Sequence, residues 1–515
     1  MTMLLEQLIG ETLVFGIPGK RIRPEDIRLF RQTHAGGLIL YRINFESPSQ
    51  LRRLIVDLEE ALGRRLLVCA DHEGGRVVMF REGVTVFPDN LTFGNAFPES
   101  DKRKIEAARR QGWIEARELR RLGVDVNLSP VVDVLTERYS PNIGIRSYGN
   151  DPGLIARMAT ARVTAMQRGG LSACAKHFPG KGHSPLDAHL SLPVIPSSWK
   201  EMRRIHLKPF ESLIRSGIDM VMSSHPLYPN LDPAPMTPAT FSKRLIRGLL
   251  REEMGFRGVI SSDDLEMGAV RDLCPIGEAA VRTARAGHDL LLSCHDSRSQ
   301  LRVHEALTHA YRSGELSVRD LERSVERIRV LKDRRPHRFG AGTPRAELSG
   351  KRLAVSVATS GARLLRPGRG ILPVLRGSSR VTVVFPKLSS LARRIMIEKP
   401  LEQETVFLNR LYRRHRKEAR ILLVDIDSTS VQVDRIGKIV DRDSVCVFYC
   451  FDAHLYRGCR RLLEMLQEKT AGLSVVLMRD PYDVGYLKKN TACSTAFGFR
   501  MCQIEAATGI LLARE

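Results

Sequence analysis

The chain has 515 residues, more than one ordinary domain usually holds, so we expect two domains. A hydrophobic content of 43% excludes a disordered chain, and no apolar run approaches the roughly 20 residues of a membrane-spanning helix. The net charge of +23 would suit a nucleic-acid partner, but no RNP-type aromatic motif or zinc finger accompanies it, so we expect neither a nucleic-acid nor a membrane partner.

The amino-terminal stretch MTMLLEQLIGETLVFGIPGK lacks two parts of an export signal. No basic segment precedes its apolar residues, and no small-residue cleavage site follows them. The nine cysteines are scattered, with no CxxC pair and no common zinc spacing. We therefore expect a reduced, cytoplasmic protein.

A short apolar segment followed by a helical pattern recurs along the first two thirds of the chain. This alternation predicts an α/β protein with a (β/α)8 barrel of the TIM type. The predicted strands are Thr12–Ile17, Gly37–Tyr41, Leu66–Asp71, Val124–Ser129, Ser172–His177, Met220–His225, Gly258–Asp263 and Asp289–Cys294. The predicted helices include Pro48–Gly63, Lys102–Leu122, Asp151–Arg168, Lys200–Ser216, Phe241–Met254 and a closing helix, Ser317–Arg335, with Ser317 as its N-cap.

A stretch rich in Gly and Pro, residues 336–350, predicts a linker between a catalytic domain, residues 1–335, and a second domain, residues 351–515. Beyond the linker the alternation of apolar and helical segments restarts, which predicts a smaller α/β sandwich. Its predicted strands are Val381–Pro386, Ile421–Ile426, Val445–Phe451 and Leu473–Met478. This domain has no Walker or GxGxxG motif, and its sequence indicates no chemistry.

Polar residues follow several predicted barrel strands at the point where each strand ends. In such barrels the active site lies at the carboxyl ends of the strands, so this clustering indicates an enzyme. The residues are Asp71, Asn127, Lys176, His177, His225, Asp263 and Asp264.

Cleavage of a glycosidic bond with retention needs a carboxylate nucleophile and a separate acid/base. Asp263, at the end of a strand, suits the nucleophile. Asp187 and His189 suit the acid/base, because two residues apart on a loop the carboxylate can orient the ring and stabilise its charged form. Sugar hydroxyls would be held by a further set of residues: Asp71, Arg146, Lys176 and His177.

Each of these motifs also has a plain structural interpretation. Asp263 with Asp264 could be a helix N-cap, and His177 and His225 could be buried structural histidines. The segment Glu73–Arg76 could be a tight turn with a salt bridge. A metal site made by Asp187, His183 and His189 is a further alternative.

Five sequence motifs contain these polar residues. They are Asp71–Arg76 (DHEGGR), Asn127–Val134 (NLSPVVDV), Ile145–Gly149 (IRSYG), Lys176–His189 (KHFPGKGHSPLDAH) and Gly255–Met267 (GFRGVISSDDLEM). Taken together, the motifs resemble glycoside hydrolase family 3, and specifically its bacterial β-N-acetylglucosaminidases. The resemblance implies that Asp263 is the nucleophile and that His189 with Asp187 is the acid/base pair. It also implies that Asp71, Arg146, Lys176 and His177 bind the sugar.

The chain departs from the pattern of this family at a few positions. The family's usual KHFPGHGDT is here KHFPGKGHS, so Lys181 replaces His and His183 replaces Asp. Met79 stands where the family commonly has a sugar-binding Arg, and Ala188 replaces Ser within the acid/base loop. We expect this protein to differ most from its relatives at Lys181 and His183.

The resemblance implies an exo-acting, retaining β-N-acetylglucosaminidase that releases N-acetylglucosamine from peptidoglycan fragments, without a metal or organic cofactor. Three alternatives remain open: a phosphorylase, a hydrolase of chito-oligosaccharides or other β-glycosides, and an inactive sugar- or nucleic-acid-binding protein. The expected partner is a small carbohydrate, and the expected assembly is a monomer or a homodimer.

Overall fold

The structure is a computed structural model that describes residues 4–184, 192–334, 344–388 and 403–513. The predicted acid/base residues Asp187 and His189 lie outside these ranges, as does most of the predicted linker. From Pro344 the chain is helical, so the last residues of the predicted linker belong to the helix Pro344–Gly361. Among the described residues we find no helix whose length and apolarity would let it span a bilayer.

Eight parallel strands, β1 to β8, close into a barrel in chain order, which confirms the predicted TIM-type architecture. Every predicted barrel strand is present, although most are shorter than the sequence indicates. The strands are Leu13–Phe15, Gly37–Leu40, Leu67–Ala70, Val126–Asn127, Ser172–Phe178, Met220–Ser223, Val259–Asp264 and Leu290–Ser293.

One buried apolar cluster takes at least one side chain from every strand of the barrel. Parallel barrel strands are covered on both faces, so apolar residues fill the interior instead of alternating with polar ones. The members that represent the eight strands are Val14, Ile39, Cys69, Val126, Cys174, Met220, Val259 and Leu290. This packing gives the strand ends fixed positions.

Helices connect the strands, and several of them begin with a side chain that caps the first turn. The Ser317 hydroxyl accepts a hydrogen bond from the Asp320 amide at 3.3 Å, which confirms the predicted N-cap of the closing helix. The helices of the barrel sequence are Leu5–Glu11, Pro24–Thr33, Pro48–Leu62, Asp101–Leu122, Pro152–Arg168, Trp199–Glu201, Lys208–Arg215, Gly268–Arg271, Ile276–Ala286, Ser297–Arg312 and Val318–Asp333. Met202–His206 and Arg244–Glu253 are π-helical, and Arg42–Asn44, Gly144–Arg146 and Ala239–Phe241 are 3₁₀-helical.

A second, six-stranded sheet has the order β11-β10-β12-β13-β14-β9. It contains the four strands predicted for the second domain and two that the sequence did not reveal, β9 and β14. The strands β9 to β14 are Arg363–Arg366, Arg380–Pro386, Glu418–Val424, Val445–Cys450, Gly472–Leu477 and Ala492–Thr495. Only β9 runs antiparallel to its neighbour.

Several helices of this second part are amphipathic and pack against the sheet. Ile436 and Leu462, from two of them, share a buried cluster with Val384 and Phe448 of the sheet. The helices of this second part are Pro344–Gly361, Ile371–Gly377, Glu404–Arg414, Ser430–Ile439, Arg457–Lys469 and Met501–Leu512, with a 3₁₀ segment at Pro481–Tyr486.

The chain divides into two compact units. The first consists of residues 1–73, 78–85 and 105–350, and the second of residues 74–77, 86–104 and 351–515. The second unit therefore includes two segments from the sequence of the barrel, which contain the short helix Asn90–Asn95.

Candidate active site

The carboxyl ends of β3 to β7 carry charged and polar side chains. Asp71 directly follows β3, and Lys176 and His177 lie in the last part of β5. His225 follows β6, and Asp263 lies near the end of β7. All these strands are parallel, so these residues belong to the same end of the barrel.

Asp71, Lys176 and Arg146 are joined through a residue to which the sequence assigned no role, Glu73. The Lys176 ammonium pairs with Asp71 and, at 2.7 Å, with Glu73 Oε1. The Arg146 guanidinium donates two hydrogen bonds to the Glu73 carboxylate, at 2.8 and 2.9 Å. It also donates to the backbone and side-chain oxygens of Asn142. Glu73 thus holds two predicted sugar-binding cations in place.

Opposing effects set the charges in this group. Burial raises the pKa of Glu73, but Arg146 and Lys176 outweigh it and hold the pKa well below its usual value. Burial is the main cause of the raised pKa of Asp71, and the carboxylates of Glu73 and Asp263 add to it against the effect of Lys176. The group combines two carboxylates with two cations, which suits binding of neutral polar groups such as sugar hydroxyls.

His177 is oriented by a buried carboxylate, Asp133, that follows β4. Its Nδ1 lies 2.7 Å from Asp133 Oδ2, and its backbone amide donates to the same oxygen at 3.2 Å. The Lys181 amide donates to Asp133 Oδ1 at 2.6 Å. Burial raises the pKa of Asp133 to about 6, against the effect of Lys181. Asp133 therefore fixes both a predicted sugar ligand and the loop after β5.

Asp263 and Asp264 are adjacent in sequence but differ in their surroundings. Burial raises the pKa of Asp263, but the positive charges of Lys181, His225 and Lys176 together hold it below its usual value. For Asp264, burial and the neighbouring carboxylates of Glu266 and Asp263 raise the pKa to about 8. Near neutral pH the first is a carboxylate, whereas the second is mostly protonated. Only Asp263 has the ionisation state that a nucleophile needs.

The two departures on the loop after β5 have well-defined places. The Lys181 Nζ lies 3.8 Å from Asp263 Oδ2, and the Lys181 side chain is 3% exposed. The His183 Nδ1 lies 3.0 Å from the Thr136 hydroxyl. Met79, at the position of the expected sugar-binding Arg, is buried, and its amide donates to the His72 ring.

His225 has neighbours at both ring nitrogens. Nδ1 lies 2.9 Å from the Thr240 hydroxyl, and Nε2 lies 3.1 Å from the Asp264 carbonyl oxygen. The ring is buried, so the histidine fixes the backbone beside the nucleophile. This contact pattern agrees with the structural interpretation of His225 and also leaves its charge close enough to act on Asp263.

Among the described residues, one group has the ligand types and spacing of a metal site, and it lies in the second unit. The ligand atoms of Asp452, His454 and Asp480 lie within 4.8 Å of one another. Arg479 contacts both carboxylates, at 2.8 Å from Asp452 and 3.2 Å from Asp480. His454 pairs with Asp483 at 2.8 Å. The group is therefore already an ion-pair network.

The sequence matches the model of a known family and is similar to several known proteins. "Glycosyl hydrolase family 3 N terminal domain" matches residues 4–331. A beta-hexosaminidase from Thioalkalivibrio sulfidiphilus is 38% identical over 295 residues, which cover 57% of this chain and 84% of that protein. A beta-hexosaminidase from Neisseria meningitidis is 37% identical over 276 residues, covering 53% of this chain and 75% of that protein.

Solved structures agree with these relationships. A glycoside hydrolase family 3 beta-N-acetylglucosaminidase from Paenibacillus sp. superposes with a TM-score of 0.90 at 29% identity, covering 99% of this chain and 97% of that one. NagZ from Neisseria gonorrhoeae, in complex with N-trifluoroacetyl-D-glucosamine, superposes with a TM-score of 0.58 at 29% identity, covering 67% of this chain and 98% of that one. With the family match spanning most of the barrel sequence, the chain belongs to glycosyl hydrolase family 3 and is a glycoside hydrolase.

Proposed function

We propose that this glycoside hydrolase is a retaining exo-β-N-acetylglucosaminidase. The observation that carries the proposal is the position of Asp263, which lies at the carboxyl end of β7 with the Lys181 ammonium 3.8 Å from its carboxylate. The same end of the barrel carries the cluster of Lys176, Asp71 and Glu73, which suits hydroxyl groups. The names of the relatives, beta-hexosaminidase and beta-N-acetylglucosaminidase, support the choice of sugar.

In the first chemical step a carboxylate oxygen of Asp263 attacks the anomeric carbon of the bound sugar. The new C1–O bond forms as the glycosidic bond breaks, and its electron pair leaves with the aglycone oxygen, which takes a proton from the acid. In the second step water attacks C1 and gives its proton to the same group, now acting as a base. The bond to Asp263 breaks, and its electron pair restores the carboxylate.

His189, paired with Asp187, is the proposed acid/base. Both residues lie outside the described ranges, and their roles rest on the resemblance of the segment Lys176–His189 to the family motif. A histidine suits both steps because its ordinary pKa lies near neutrality, so it can donate a proton and then accept one.

Asp71, Lys176, Arg146 and His177 are the proposed ligands of the sugar. The partly exposed Asp71 carboxylate can accept hydrogen bonds from two hydroxyls. Lys176 and Arg146 donate only, so they would face hydroxyl or carbonyl oxygens. Asp133 takes one ring nitrogen of His177 and so fixes the orientation of the ring.

The proposed natural substrates are N-acetylglucosamine-containing peptidoglycan fragments, such as N-acetylglucosaminyl-1,6-anhydro-N-acetylmuramic acid with or without peptide. This assignment rests on the family resemblance, and the cytoplasmic location stays a prediction. The same site would also accept other β-N-acetylglucosaminides if the aglycone side is permissive, so chito-oligosaccharides belong in any substrate panel.

We expect the full chain to hydrolyse a fluorogenic β-N-acetylglucosaminide. The first-formed sugar, observed by proton NMR before mutarotation, should be the β-anomer, because two inversions at C1 give net retention. An α-anomer would contradict the two-step mechanism. Formation of a sugar 1-phosphate when phosphate is added would identify a phosphorylase, and absence of all turnover would favour a binding protein.

His189→Ala should slow hydrolysis according to the leaving group. An activated phenol leaves without help from an acid, so kcat/KM for its glycoside should fall little. For an unactivated disaccharide the loss should be about 10²–10⁴-fold, the usual contribution of general acid catalysis. An equal loss for both substrates would remove His189 from the role of acid. His183→Ala, in the same sequence motif, is the matched control.

A further inference from the structure

Lys181 lies on a loop whose backbone is fixed on several sides. Its amide donates to Asp133, and the Tyr228 hydroxyl donates to the Gly180 carbonyl at 3.1 Å. The amides of Thr136 and Glu137 both donate to the Gly182 carbonyl, each at 3.1 Å. A side chain at Gly182 would meet the backbone of Val134, with its Cβ only 2.0 Å from the Val134 oxygen. Hydrogen bonds and close packing therefore fix the backbone at Lys181.

The Lys181 ammonium faces the nucleophile. Its Nζ lies 3.8 Å from Asp263 Oδ2, and both residues are largely removed from solvent. Burial lowers the pKa of Lys181, and Asp263 is foremost among the groups that oppose this effect. A buried ammonium needs a counter-ion, and among the described residues Asp263 is the carboxylate that lies within ion-pairing distance of Lys181.

The other positive charges that act on Asp263 within the described part of the chain, Lys176 and His225, have partners of their own. Lys176 pairs with Asp71 and Glu73, and their two negative charges offset its effect on Asp263. The His225 Nε2 donates to the Asp264 carbonyl, and Nδ1 contacts a hydroxyl that itself donates to Ser224. Asp264 is mostly protonated near neutral pH. Of these cations, Lys181 is therefore the one whose ion pairing depends most directly on whether Asp263 is ionised.

We propose that Lys181 is a positioning residue for the nucleophile, and that its ammonium group stabilises Asp263 as a carboxylate and speeds the departure of that carboxylate from the glycosyl-enzyme. This inference deepens the proposed function and rests on it. The family motif has His at this position, so the lysine is a property of this chain and not of the motif.

The two chemical steps respond to Lys181 in opposite ways. When Asp263 forms the ester it loses its negative charge, and the ammonium loses its counter-ion. When water attacks C1, the C1–Oδ bond breaks, the electron pair returns to Asp263 and the ion pair forms again. A cation beside the leaving carboxylate therefore favours breakdown of the intermediate, whereas it gives the first step no such help.

Lys181→Met tests this inference, because Met keeps the length of the side chain and removes its charge. Lys181→Arg retains the charge, and Lys200→Met, at an exposed position, controls for loss of a lysine elsewhere. The acidic limb of kcat/KM against pH should move upward by about one unit or more in Lys181→Met, since a nearby opposite charge lowers an acid's pKa by roughly 1–3 units. It should not move in Lys181→Arg or Lys200→Met.

Pre-steady-state kinetics with an activated aryl glycoside give a second readout. If Lys181→Met slows only the second step, kcat and KM should fall together, kcat/KM at pH 7.5 should stay nearly constant, and a burst of one aglycone per active site should appear. An unmoved acidic limb with an unchanged KM would overturn the inference and leave Lys181 a packing residue. If Lys181→Met does not fold, the same measurements are made on Lys181→Gln and on Lys181→His, which introduces the residue of the family motif.

The two proposals fail in different ways. If Asp263→Asn keeps full activity, the nucleophile is wrong and the proposed function fails with it. If Asp263→Asn is inactive while Lys181→Met matches the native enzyme in its pH profile and burst, only the inference about Lys181 fails.

Discussion

Asp263→Asn should abolish β-N-acetylglucosaminidase activity, whereas Asp264→Asn should retain most of it. Loss of a nucleophile removes the covalent route, so we expect kcat to fall by roughly 10³-fold or more. The neighbouring Asp264 has its pKa raised to about 8, so near neutral pH it is mostly uncharged, and a neutral amide is a close substitute. Its Oδ1 accepts from the amides of Glu266 and Cys294, which an Asn oxygen can also do.

The pair makes a sharp test because the two substitutions are chemically identical and one residue apart. Activity is measured with a fluorogenic N-acetylglucosaminide, and circular dichroism verifies that both variants fold. Asp263→Gly with added azide gives an independent readout. A small anion in the vacated space should attack C1 from the nucleophile's side and yield the α-glycosyl azide. Equal losses in both Asn variants, with no azide product, would contradict the assignment of Asp263.

The barrel was predictable because its signal is local and repeated. Each apolar segment of β1 to β8 is followed by a helical pattern, and the polar residue that ends a strand is visible in the sequence. Closure in chain order then follows from the preference of parallel strands for helical connections. The same reasoning brought Asp71, Lys176 and Asp263 to one end without any knowledge of distances.

The residues that hold the site together were harder to predict. Glu73 reads as part of a tight turn, and only the folded loop after β4 brings Arg146 to its carboxylate. Asp133 and Lys181 are 48 residues apart, and their contact depends on the path of two loops. The sequence does contain one signal for such residues. Largely buried cations such as Lys176 and Arg146 need counter-ions, and the Glu and Asp residues without an assigned role in the same motifs, Glu73 and Asp133, are the candidates.

Two strands and one segment of the second unit could not be predicted from the sequence, for a different reason. Strand β14, ACST, has small residues in place of an apolar run, and strand β9, RLLR, is a partly exposed edge strand with two arginines. The segment 86–104 belongs to this unit through long-range contacts. For example, the Thr92 hydroxyl donates to the Ala496 carbonyl at 2.7 Å, across 404 residues. Such pairings leave no local pattern in the sequence.

Glu73→Gln should lower both the stability of the protein and its affinity for sugar. Glu73 is 2% exposed at its side chain, and its carboxylate neutralises Arg146 and Lys176. With Gln in its place, Arg146 and Lys176 each lose an ion pair with a buried carboxylate. Breaking a buried ion pair by removing one partner typically costs about 3–5 kcal/mol, which should be seen as a lower denaturant midpoint at an unchanged slope.

A purely structural role would give the same loss of stability, so the control must be an equally buried pair away from the sugar ligands. Asp289 is such a residue, since it directly precedes β8 at the opposite, amino end of the strand. Its carboxylate is 1% exposed and accepts hydrogen bonds from Arg251 at 2.6 Å and Arg327 at 2.9 Å. Asp289→Asn should lose comparable stability while the folded enzyme keeps its KM and its inhibition constant for N-acetylglucosamine.

Glu73→Gln should raise both KM and the inhibition constant for N-acetylglucosamine, because Lys176 and Arg146 lose the carboxylate that fixes their positions. Restoring the anion in Glu73→Asp should recover part of the affinity, although the shorter side chain cannot keep both contacts at their present distances. If Glu73→Gln and Asp289→Asn lose stability equally and neither changes KM, then Glu73 only stabilises the barrel. The sugar would in that case be held by groups that do not depend on the Arg146–Glu73–Lys176 contacts.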